Sequence, residues 1–298
     1  MESKTQTALF IINPKSGTTK KKGVTALLDY CLDSSKISHE IIYTQYAGEG
    51  REIAEREKNN YDLIVAVGGD GTINEIAGPL INTDTTLGII PMGSGNGLAR
   101  HLKIPLNAKK AISLLNSQHS KKIDTITLNN DIFVNVAGVG FDAHIASLFA
   151  ESKKRGFLSY GLLALQEIIK FKSTGYRLVI DGQEKIEKAP FLISIANSSQ
   201  YGNNAHIAPG AEISDGLMDI CIMQKIPFWY YPALIFHLFN GTLTRSRYYQ
   251  TWQGKEAHIR LLEDVEHKSI HLDGDPYQLK EDILLSVNPL SLKVACNI

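Results

Sequence analysis

The sequence predicts a two-domain protein in which an α/β domain is followed by a mainly β domain. The chain has 298 residues, which is longer than one average domain. Strand and helix patterns alternate as far as Lys122, and most later runs look like strands joined by Asn, Gly and Asp turns. Alternating strands and helices indicate a parallel sheet, whereas a succession of strands indicates an antiparallel sandwich.

Strand and helix patterns alternate regularly through the first domain. The strand patterns are ALFIINP, SHEIIYTQ, DLIVAVGG and TLGIIP. The helix patterns are KKGVTALLDYCLD, AGEGREIAEREKN and INEIAGPLI, and LARHL starts another helix after a glycine-rich turn. We place this domain at residues 1–124 and expect residues 287–298, which include the strand pattern LSLKVACNI, to return to it.

The second domain, at residues 125–286, reads as strands with two helical regions. Its strand patterns are DTITLNNDIFVNVAGVG, YRLVIDGQEKIEKAPFLISIANS, LMDICIMQ, KEAHIRLLE and KSIHLDGDPYQL. The segment ESKKRGFLSYGLLALQEIIKF and residues 227–248 look helical.

The most apolar stretch of the chain lies at residues 227–241 and is interrupted by Pro232 and His237. It is shorter than the roughly 20 residues that a helix needs to span a bilayer. We interpret it as a buried helix in preference to a helix at a membrane interface, and we expect no transmembrane segment.

The composition excludes several classes of partner and site. Lys plus Arg and Asp plus Glu both number 31, so no net basic field favours nucleic acid or an anionic membrane, and any membrane contact must be local. The three cysteines, Cys31, Cys221 and Cys296, are far apart and fit no zinc motif. Their odd number argues against a disulfide framework and for a reducing cytosol. We therefore expect a cytoplasmic protein.

Three glycine-bearing motifs follow predicted strands of the first domain. They are NPKSG at 13–17, GGDGT at 68–72 and PMGSGNG at 91–97. Ligands of parallel sheets bind at the carboxyl ends of the strands, and glycine lets a ligand approach the backbone closely. Thr72 and Glu75 match a capping box, which predicts that the next helix begins at about Thr72. The sequence therefore predicts an anion site at a helix N-terminus.

Asp70 places a negative charge inside this predicted anion site. The loop has neither the Lys-Ser/Thr ending of a Walker P-loop nor the G-x-G-x-x-G of a dinucleotide fold. A carboxylate here is explained by Mg²⁺, which is often held by one or two carboxylates together with substrate phosphates. The alternative is that Asp70 only caps backbone amides in a strained loop. We favour a loop for nucleotide phosphates, with Asp70 for the Mg²⁺ that accompanies them.

The three motifs, in this order and spacing, resemble the diacylglycerol kinase catalytic-domain superfamily, which includes bacterial soluble lipid kinases, sphingosine kinases and ceramide kinases. VNVAGVGFDA at 134–143, IANSSQYGNNAHIAPGAEISDGLMDI at 195–220 and LDGDP at 272–276 are similar to later signatures of the family, so the resemblance covers nearly the whole chain. It implies a Rossmann-like or phosphofructokinase-like three-layer domain, a second antiparallel β-sandwich domain and an active site in the cleft between them. It also admits a homodimer.

The resemblance implies ATP and Mg²⁺ as cofactors and assigns residues to them. A structural Mg²⁺ would be bound in AEISDGL by the side chain of Asp215 and by backbone oxygens near Glu212 and Leu217. The positions that contact the nucleotide would be Asn13, Pro14, Lys15, Ser16, Gly17, Thr44, Gly68, Gly69, Asp70, Gly71, Thr72, Ile73, Asn74, Ser94, Gly95 and Asn96.

LDGDP taken alone predicts a turn, because Asp-Gly between strands is a strong hairpin signal. With the upstream motifs, we expect Asp275 to accept the proton of a lipid hydroxyl, with Asp273 beside it and Asp70 completing the catalytic set. Two positions depart from the family pattern. Gly97 stands where many bacterial members carry Asp after Asn96, and Asp275 stands where the family usually has Glu.

The leading hypothesis is an ATP-dependent kinase that transfers the γ-phosphate to a hydroxyl of diacylglycerol or a related long-chain lipid. Such an enzyme would be peripheral to the membrane, in transient contact with its surface. The main rival is NAD kinase, which shares the GGDGT loop and the two-domain plan, but NPKSG, PMGSGNGLAR and AEISDGLMD favour the lipid kinases. A rival of another class is a nucleotide- or lipid-binding regulator without catalysis, which the departures at Gly97 and Asp275 permit.

Overall fold

The computed structural model describes residues 5–15, 23–152, 157–262, 268–279 and 282–297. The chain divides into two compact units, which are residues 1–123 with 290–298 and residues 124–289. The strands are Gln6–Ile12 (β1), Ile37–Tyr43 (β2), Leu63–Gly68 (β3), Thr86–Pro91 (β4), Ser120–Leu128 (β5), Asp131–Phe133 (β6), Val136–Gly140 (β7), Tyr176–Ile180 (β8), Gln183–Glu187 (β9), Pro190–Ala196 (β10), Met218–Gln224 (β11), Tyr249–Gly254 (β12), Glu256–Leu261 (β13), Lys268–Leu272 (β14), Asp275–Leu279 (β15) and Ile283–Ala295 (β16). The α-helices are Val24–Cys31 (α1), Glu49–Glu57 (α2), Asp70–Leu80 (α3), Gly97–His101 (α4), Ala108–Leu115 (α5), Phe141–Glu151 (α6), Phe157–Glu167 (α7) and Tyr231–Phe239 (α8).

The first unit is built on a parallel sheet with the strand order β2-β1-β3-β4-β16. β1 pairs in parallel with both β2 and β3, so the strand order reverses between β1 and β3. The end of β16 joins this sheet where Val294 pairs with Leu87 of β4. Every residue of β3 and β4 is buried, as expected for parallel strands that are covered on both faces.

Helices cover the sheet of the first unit in two pairs, since α1 packs against α5 and α2 packs against α3. Right-handed crossovers place one pair on each face of the sheet. This confirms the predicted three-layer α/β domain. The prediction omits α5, although its signal is present: the Asn107 side chain caps the helix by accepting a hydrogen bond from the Lys110 N–H at 3.2 Å.

The second unit contains antiparallel strands in two layers. One layer has the order β12-β11-β10-β7-β14-β15. The other contains the β5–β6 pair and the strands β9, β8 and β13 with the first part of β16. Side chains from both layers form the core between them, among them Phe133, Ile193, Ile220, Ile259 and Ile283. This confirms the predicted antiparallel β-sandwich.

Helices cover the outer face of the β10 layer. Ile193 points into the sandwich, whereas Leu192 belongs to a second apolar cluster that includes residues of α6, α7 and α8. The prediction has no helix at 141–151 and is wrong there. Because α6 begins directly after β7, at Gly140 with a φ of +96°, the run VNVAGVGFDA joins a strand end to a helix start.

The predicted helical region at 227–248 is shorter in the structure. It consists of a 3₁₀ turn at Phe228–Tyr230, the nine-residue α8, and a second 3₁₀ turn at Leu243–Arg245. α8 ends at Phe239 because Gly241, with a φ of +62°, turns the chain.

This region is not a buried helix, so that prediction is wrong. Leu234 is the only buried residue of α8, and Phe236 exposes 62% of its surface. In the preceding 3₁₀ turn, Phe228 and Trp229 expose 75% and 80% of theirs. One face of the helix packs on the second cluster, and apolarity along a sequence does not reveal which faces have a partner. No helix in the described part of the chain is long and apolar enough to cross a membrane.

Candidate active site

The three glycine-bearing loops of the first unit meet at the carboxyl ends of β1, β3 and β4. The Asn13 N–H donates to the Val67 carbonyl at 3.2 Å, and its side-chain amide donates to the Thr72 hydroxyl at 3.1 Å. The Met92 N–H donates to the Gly68 carbonyl at 2.7 Å. This edge includes the β1/β3 reversal point, where ligands of open α/β sheets bind.

Two glycines allow close approaches in this part of the first unit. A Cβ atom on Gly93 would lie 2.6 Å from the Gly69 Cα atom, and a Cβ atom on Gly68 would lie 2.4 Å from the Thr72 hydroxyl. Both distances are shorter than van der Waals contact. Glycine at position 93 is therefore required for the loops after β3 and β4 to pack together, and glycine at position 68 makes room for the Thr72 side chain.

α3 begins at Asp70, with Gly69 as its N-cap, so the predicted capping box is wrong. The Thr72 hydroxyl accepts from Asn13, and the Glu75 carboxylate accepts from the Gly48 N–H at 3.0 Å. Both side chains therefore form hydrogen bonds with neighbouring loops of the first unit and do not cap the helix. The N-cap residue of α3, Gly69, has no side chain with which to cap the helix, and the backbone N–H groups and dipole of a helix start favour an anion.

Asp70 connects the start of α3 to the start of α4. Its carboxylate oxygens accept from the N–H groups of Asn96 and Gly97, at 2.9 and 2.8 Å. Asn96 has a φ of +52°, and its side chain accepts from the Gly93 N–H and donates to the Gly93 carbonyl, both at 2.9 Å. These contacts are the amide-capping role that was the alternative for Asp70. The Mg²⁺ role stays a prediction, and it is compatible because each carboxylate oxygen has a second lone pair.

The other nucleotide-contacting predictions lie on the same edge of the first unit. Thr44 is buried at the end of β2, and its N–H donates to the Ile12 carbonyl at 3.0 Å. The Lys15 N–H donates to the Asn13 side chain at 2.9 Å. Gly71, Ile73 and Asn74 belong to the first turns of α3, Ser94 and Gly95 to the loop before α4, and Pro14 to the turn after β1. Ser16 and Gly17 lie outside the described residues.

In the segment AEISDGL of the second unit, backbone N–H groups donate hydrogen bonds to carboxylates. Asp215 accepts from the Leu217 N–H at 3.0 Å, and the buried Asp124 accepts from the Gly216 N–H at 2.7 Å. Burial raises the pKa of Asp219 to about 6, and the negative charge of Asp215 adds to this effect. In the described residues no three His, Cys, Asp or Glu groups are close enough to hold a metal. The Mg²⁺ site at Glu212, Asp215 and Leu217 stays a prediction; one carboxylate with backbone oxygens suits an ion that keeps several waters.

LDGDP forms the two-residue turn between β14 and β15. Asp273 and Gly274 have φ angles of +51° and +94°, as a type I′ hairpin requires. The Asp273 carboxylate is 7% exposed and accepts from the N–H groups at positions 134, 135 and 136, at 3.1, 2.8 and 3.0 Å. Asp275 is exposed at the first position of β15. The two carboxylates therefore have different surroundings.

Sequence reasoning missed a buried polar cluster around Asp142, in the first turn of α6. One Asp142 oxygen accepts from the hydroxyls of Ser194 and Tyr201, both at 2.9 Å, and lies 3.2 Å from His271 Nε2. A Cβ atom on Gly138 would lie 2.2 Å from the same oxygen, so glycine makes room for it. Burial raises the pKa of Tyr201 well above its usual value, and the Asp142 charge adds to this, so its hydroxyl remains protonated.

The sequence contained one indication of this cluster, because Asp142 lies within a segment that resembles the family and His271 lies directly before another. Asp142 lies in VNVAGVGFDA, and His271 precedes Asp273 by two residues on β14. The helix that presents Asp142 was not predicted, so the aspartate could not be placed on a face. His271 is 3% exposed, and its Nδ1 atom makes no hydrogen bond with the residues that the structure describes.

Comparisons with known proteins agree with this architecture. The family model of the diacylglycerol kinase catalytic domain matches residues 7–128, and the model of the YegS C-terminal NAD kinase beta sandwich-like domain matches residues 135–296. The diacylglycerol kinase of Bacillus subtilis is 31% identical over 226 residues, which are 73% of this chain and 74% of that protein. The diacylglycerol kinase of Mycobacterium tuberculosis is 29% identical over 221 residues, which are 72% of this chain and 70% of that protein.

Solved structures show the same fold. A crystal structure of a diacylglycerol kinase from Bacillus anthracis aligns with a TM-score of 0.73 at 19% identity, over 99% of this chain and 98% of that one. A second Bacillus anthracis crystal structure aligns with a TM-score of 0.79 at 23% identity, with the same coverage. The family models, the two curated relatives and the shared fold together show that this chain belongs to the diacylglycerol kinase catalytic-domain superfamily.

Proposed function

We propose that this member of a lipid kinase family transfers the γ-phosphate of ATP to a hydroxyl of diacylglycerol or a related long-chain lipid. The observation that carries the proposal is the meeting of three glycine-bearing loops at the β1/β3 reversal point, beside the start of α3 with its glycine N-cap. Backbone N–H groups and a helix N-terminus at a switch point are suited to the phosphates of a nucleotide.

In this proposal the first unit binds ATP through the loops that follow β1, β3 and β4. The Asn13 side chain and the Asp70 carboxylate keep the three loops together, which positions the N–H groups of α3. Asp70 would hold the Mg²⁺ ion that accompanies the phosphates. When bound, such an ion neutralises charge on the phosphoryl group, and positioning supplies most of the remaining acceleration.

The general base of the proposal is Asp275. The acceptor hydroxyl gives its proton to this carboxylate while its oxygen forms a bond to the γ-phosphorus. The bond from the γ-phosphorus to the bridging oxygen breaks, and ADP leaves with the electron pair. The buried Asp273, two residues before Asp275, fixes the turn through three amide hydrogen bonds and is proposed to position the base.

NAD kinase remains the alternative enzyme. The second family model carries a name that refers to the NAD kinase sandwich, so the fold of the second unit does not separate the two activities. The curated relatives are named as diacylglycerol kinases, which favours a lipid acceptor. The cysteines of the chain are unpaired, which agrees with the proposed cytoplasmic location.

A partition assay tests the proposal. Purified protein is incubated with γ-labelled ATP, Mg²⁺ and a total lipid extract in mixed micelles, with NAD in a parallel reaction. We expect label in the organic phase that disappears in the Asp275→Ala and Asp70→Ala variants. The matched control is Asp84→Ala, since Asp84 is an exposed aspartate at the opposite end of the strands, before β4.

The other outcomes identify the rivals. Aqueous label that comigrates with NADP would overturn the lipid kinase in favour of NAD kinase. No transferred label in either phase, with ATP binding retained, would identify a nucleotide-binding regulator.

A further inference from the structure

We propose that an aromatic surface on the second unit docks the protein on an anionic lipid bilayer. This surface, called the aromatic patch, consists of Phe228, Trp229, Ile235, Phe236 and Phe239. The inference rests on the proposed function in one respect, since a long-chain lipid acceptor resides in a membrane. The patch itself is argued from its exposure and its charge.

The segment that carries the patch is apolar on two opposite faces. Tyr230, Tyr231, Leu234 and Leu238 pack on the second apolar cluster. The members of the patch follow the complementary helical spacing and face away from that cluster, with Trp229 80% exposed. A helix that is apolar all round normally has a partner on each face, and in the described residues only one face of α8 is covered.

The positive charge of the segment that carries the patch favours a negatively charged partner. Residues 225–255 contain four basic residues and no acidic residue, in a chain whose net charge is zero. Lys225, Arg245 and Arg247 are exposed, and no carboxylate in the described residues lies within ion-pairing distance of them. Such a segment attracts a negative surface, which is a common second signal for apolar anchors.

Ring contacts connect one cation to the segment that carries the patch. The Arg247 guanidinium lies 4.8 Å from the centre of the Tyr248 ring, and that ring packs against Tyr230 at 5.0 Å. Tyr230 directly follows Trp229 in the chain. Tryptophan and tyrosine prefer the headgroup level of a bilayer, where an aromatic body and a polar tip are both satisfied.

These features favour a bilayer over a second copy of the chain. A two-fold dimer through the patch would bring the basic segments of both copies into one interface, with no acidic residue in either segment to neutralise them. The nine residues of α8 are far fewer than the roughly 20 that span a bilayer, so the helix would lie in the interface plane.

Vesicle binding by the full-length protein tests the proposal. Trp252→Phe leaves Trp229 as the sole tryptophan of the chain. We expect vesicles of phosphatidylcholine and phosphatidylglycerol to shift its emission to the blue, and brominated lipids to quench it. Phe228→Ser with Phe236→Ser should lower the partition coefficient at least about 10-fold. Arg245→Gln with Arg247→Gln should lower it about fivefold or more on anionic vesicles and leave it unchanged on pure phosphatidylcholine.

A matched control separates the patch from exposed aromatics in general. Tyr30 in the first unit is 75% exposed, like Phe228, and Tyr30→Ser should leave vesicle binding unchanged. Turnover of a monomeric short-chain diacylglycerol should also be unchanged in the Phe228→Ser, Phe236→Ser variant. That result would show that the variant is folded and that only access to the bilayer is lost.

Two results would overturn the docking proposal. One is a Trp229 emission that does not respond to anionic vesicles. The other is a sedimentation experiment in which the patch substitutions convert a dimer to a monomer, because the patch would then be a self-association surface. Failure of the proposed function is distinguishable, since it would remove phosphoryl transfer to lipid and leave vesicle binding intact.

Discussion

Two short motifs of similar composition, Gly69-Asp70-Gly71 and Asp273-Gly274-Asp275, each contain an aspartate that accepts backbone N–H groups, but the two aspartates differ in burial. Asp70 is half-buried in a helix start and accepts two backbone N–H groups, from the loop before α4 and the start of that helix. Asp273 is buried in a hairpin turn and accepts three. Deeper burial and a third amide partner make Asp273 an anchor of its turn, whereas Asp70 anchors two N–H groups and is partly exposed.

The largest stability effect in this comparison should come from Asp273→Ala. The substitution leaves three backbone N–H groups in a buried region without their acceptor, and we expect a loss of about 4 kcal/mol in the free energy of unfolding. Urea denaturation measures it. Asp273→Asn keeps one carbonyl acceptor and should lose less. A loss below about 1 kcal/mol for Asp273→Ala would contradict an anchoring role.

Gly93→Ala tests the packing of the Gly69-Asp70-Gly71 motif against the loop after β4. The added Cβ atom would lie 2.6 Å from the Gly69 backbone, so the loops after β3 and β4 must separate. We expect a loss of about 2 kcal/mol in the free energy of unfolding, together with weaker ATP binding measured by calorimetry.

The matched control for that variant is Gly78→Ala. Gly78 lies in α3, and its added Cβ would meet only the end of the Arg51 side chain, at 4.0 Å. This variant should raise stability by about 0.5 kcal/mol because alanine favours a helix interior more than glycine does. If both glycine variants bound ATP equally, the close approach of the two loops would not matter for the nucleotide.

Asp70→Asn should separate the anchoring role of Asp70 from its proposed role with Mg²⁺. An amide accepts through one atom only, so one of the two loop N–H groups loses its partner, and we expect a loss of about 1 kcal/mol in stability. Calorimetry should show that Mg²⁺ strengthens ATP binding to the unaltered protein and does so much less in the variant. Asp84→Asn, in an exposed position, is the control. An equal Mg²⁺ effect in both variants would leave Asp70 with the anchoring role alone.

The sequence was sufficient where local patterns determine the structure. The continuous apolar runs of β3 and β4 and the glycines after them predict buried parallel strands with ligand loops at their ends, and the structure has them. The alternation of short strand patterns likewise predicted the sandwich. These features depend on residues that are near one another in the chain.

The sequence was insufficient where partners are distant in the chain. Asp70 and Gly97 are 27 residues apart, so their hydrogen bond has no local signature. The partners of Asp142 are 52, 59 and 129 residues away, and the pairing of β7 with β10 and β14 brings them to Asp142. Thr72 and Glu75 matched a local rule for helix capping, but distant loops compete for both side chains. Tertiary hydrogen bonds therefore took the place of the capping box that the local pattern predicts.

The smallest stability effect should come from Asp275→Ala, although Asp275 lies only two residues from Asp273. Its side chain is exposed on β15, so its removal should change the free energy of unfolding by less than about 0.5 kcal/mol. If Asp275 is the general base, phosphoryl transfer should nevertheless fall about 100-fold or more. Measuring urea denaturation and initial rates on the same preparations separates the two effects. A variant that lost stability with its activity would show that Asp275 supports the hairpin as Asp273 does, and a fully active variant would require another base.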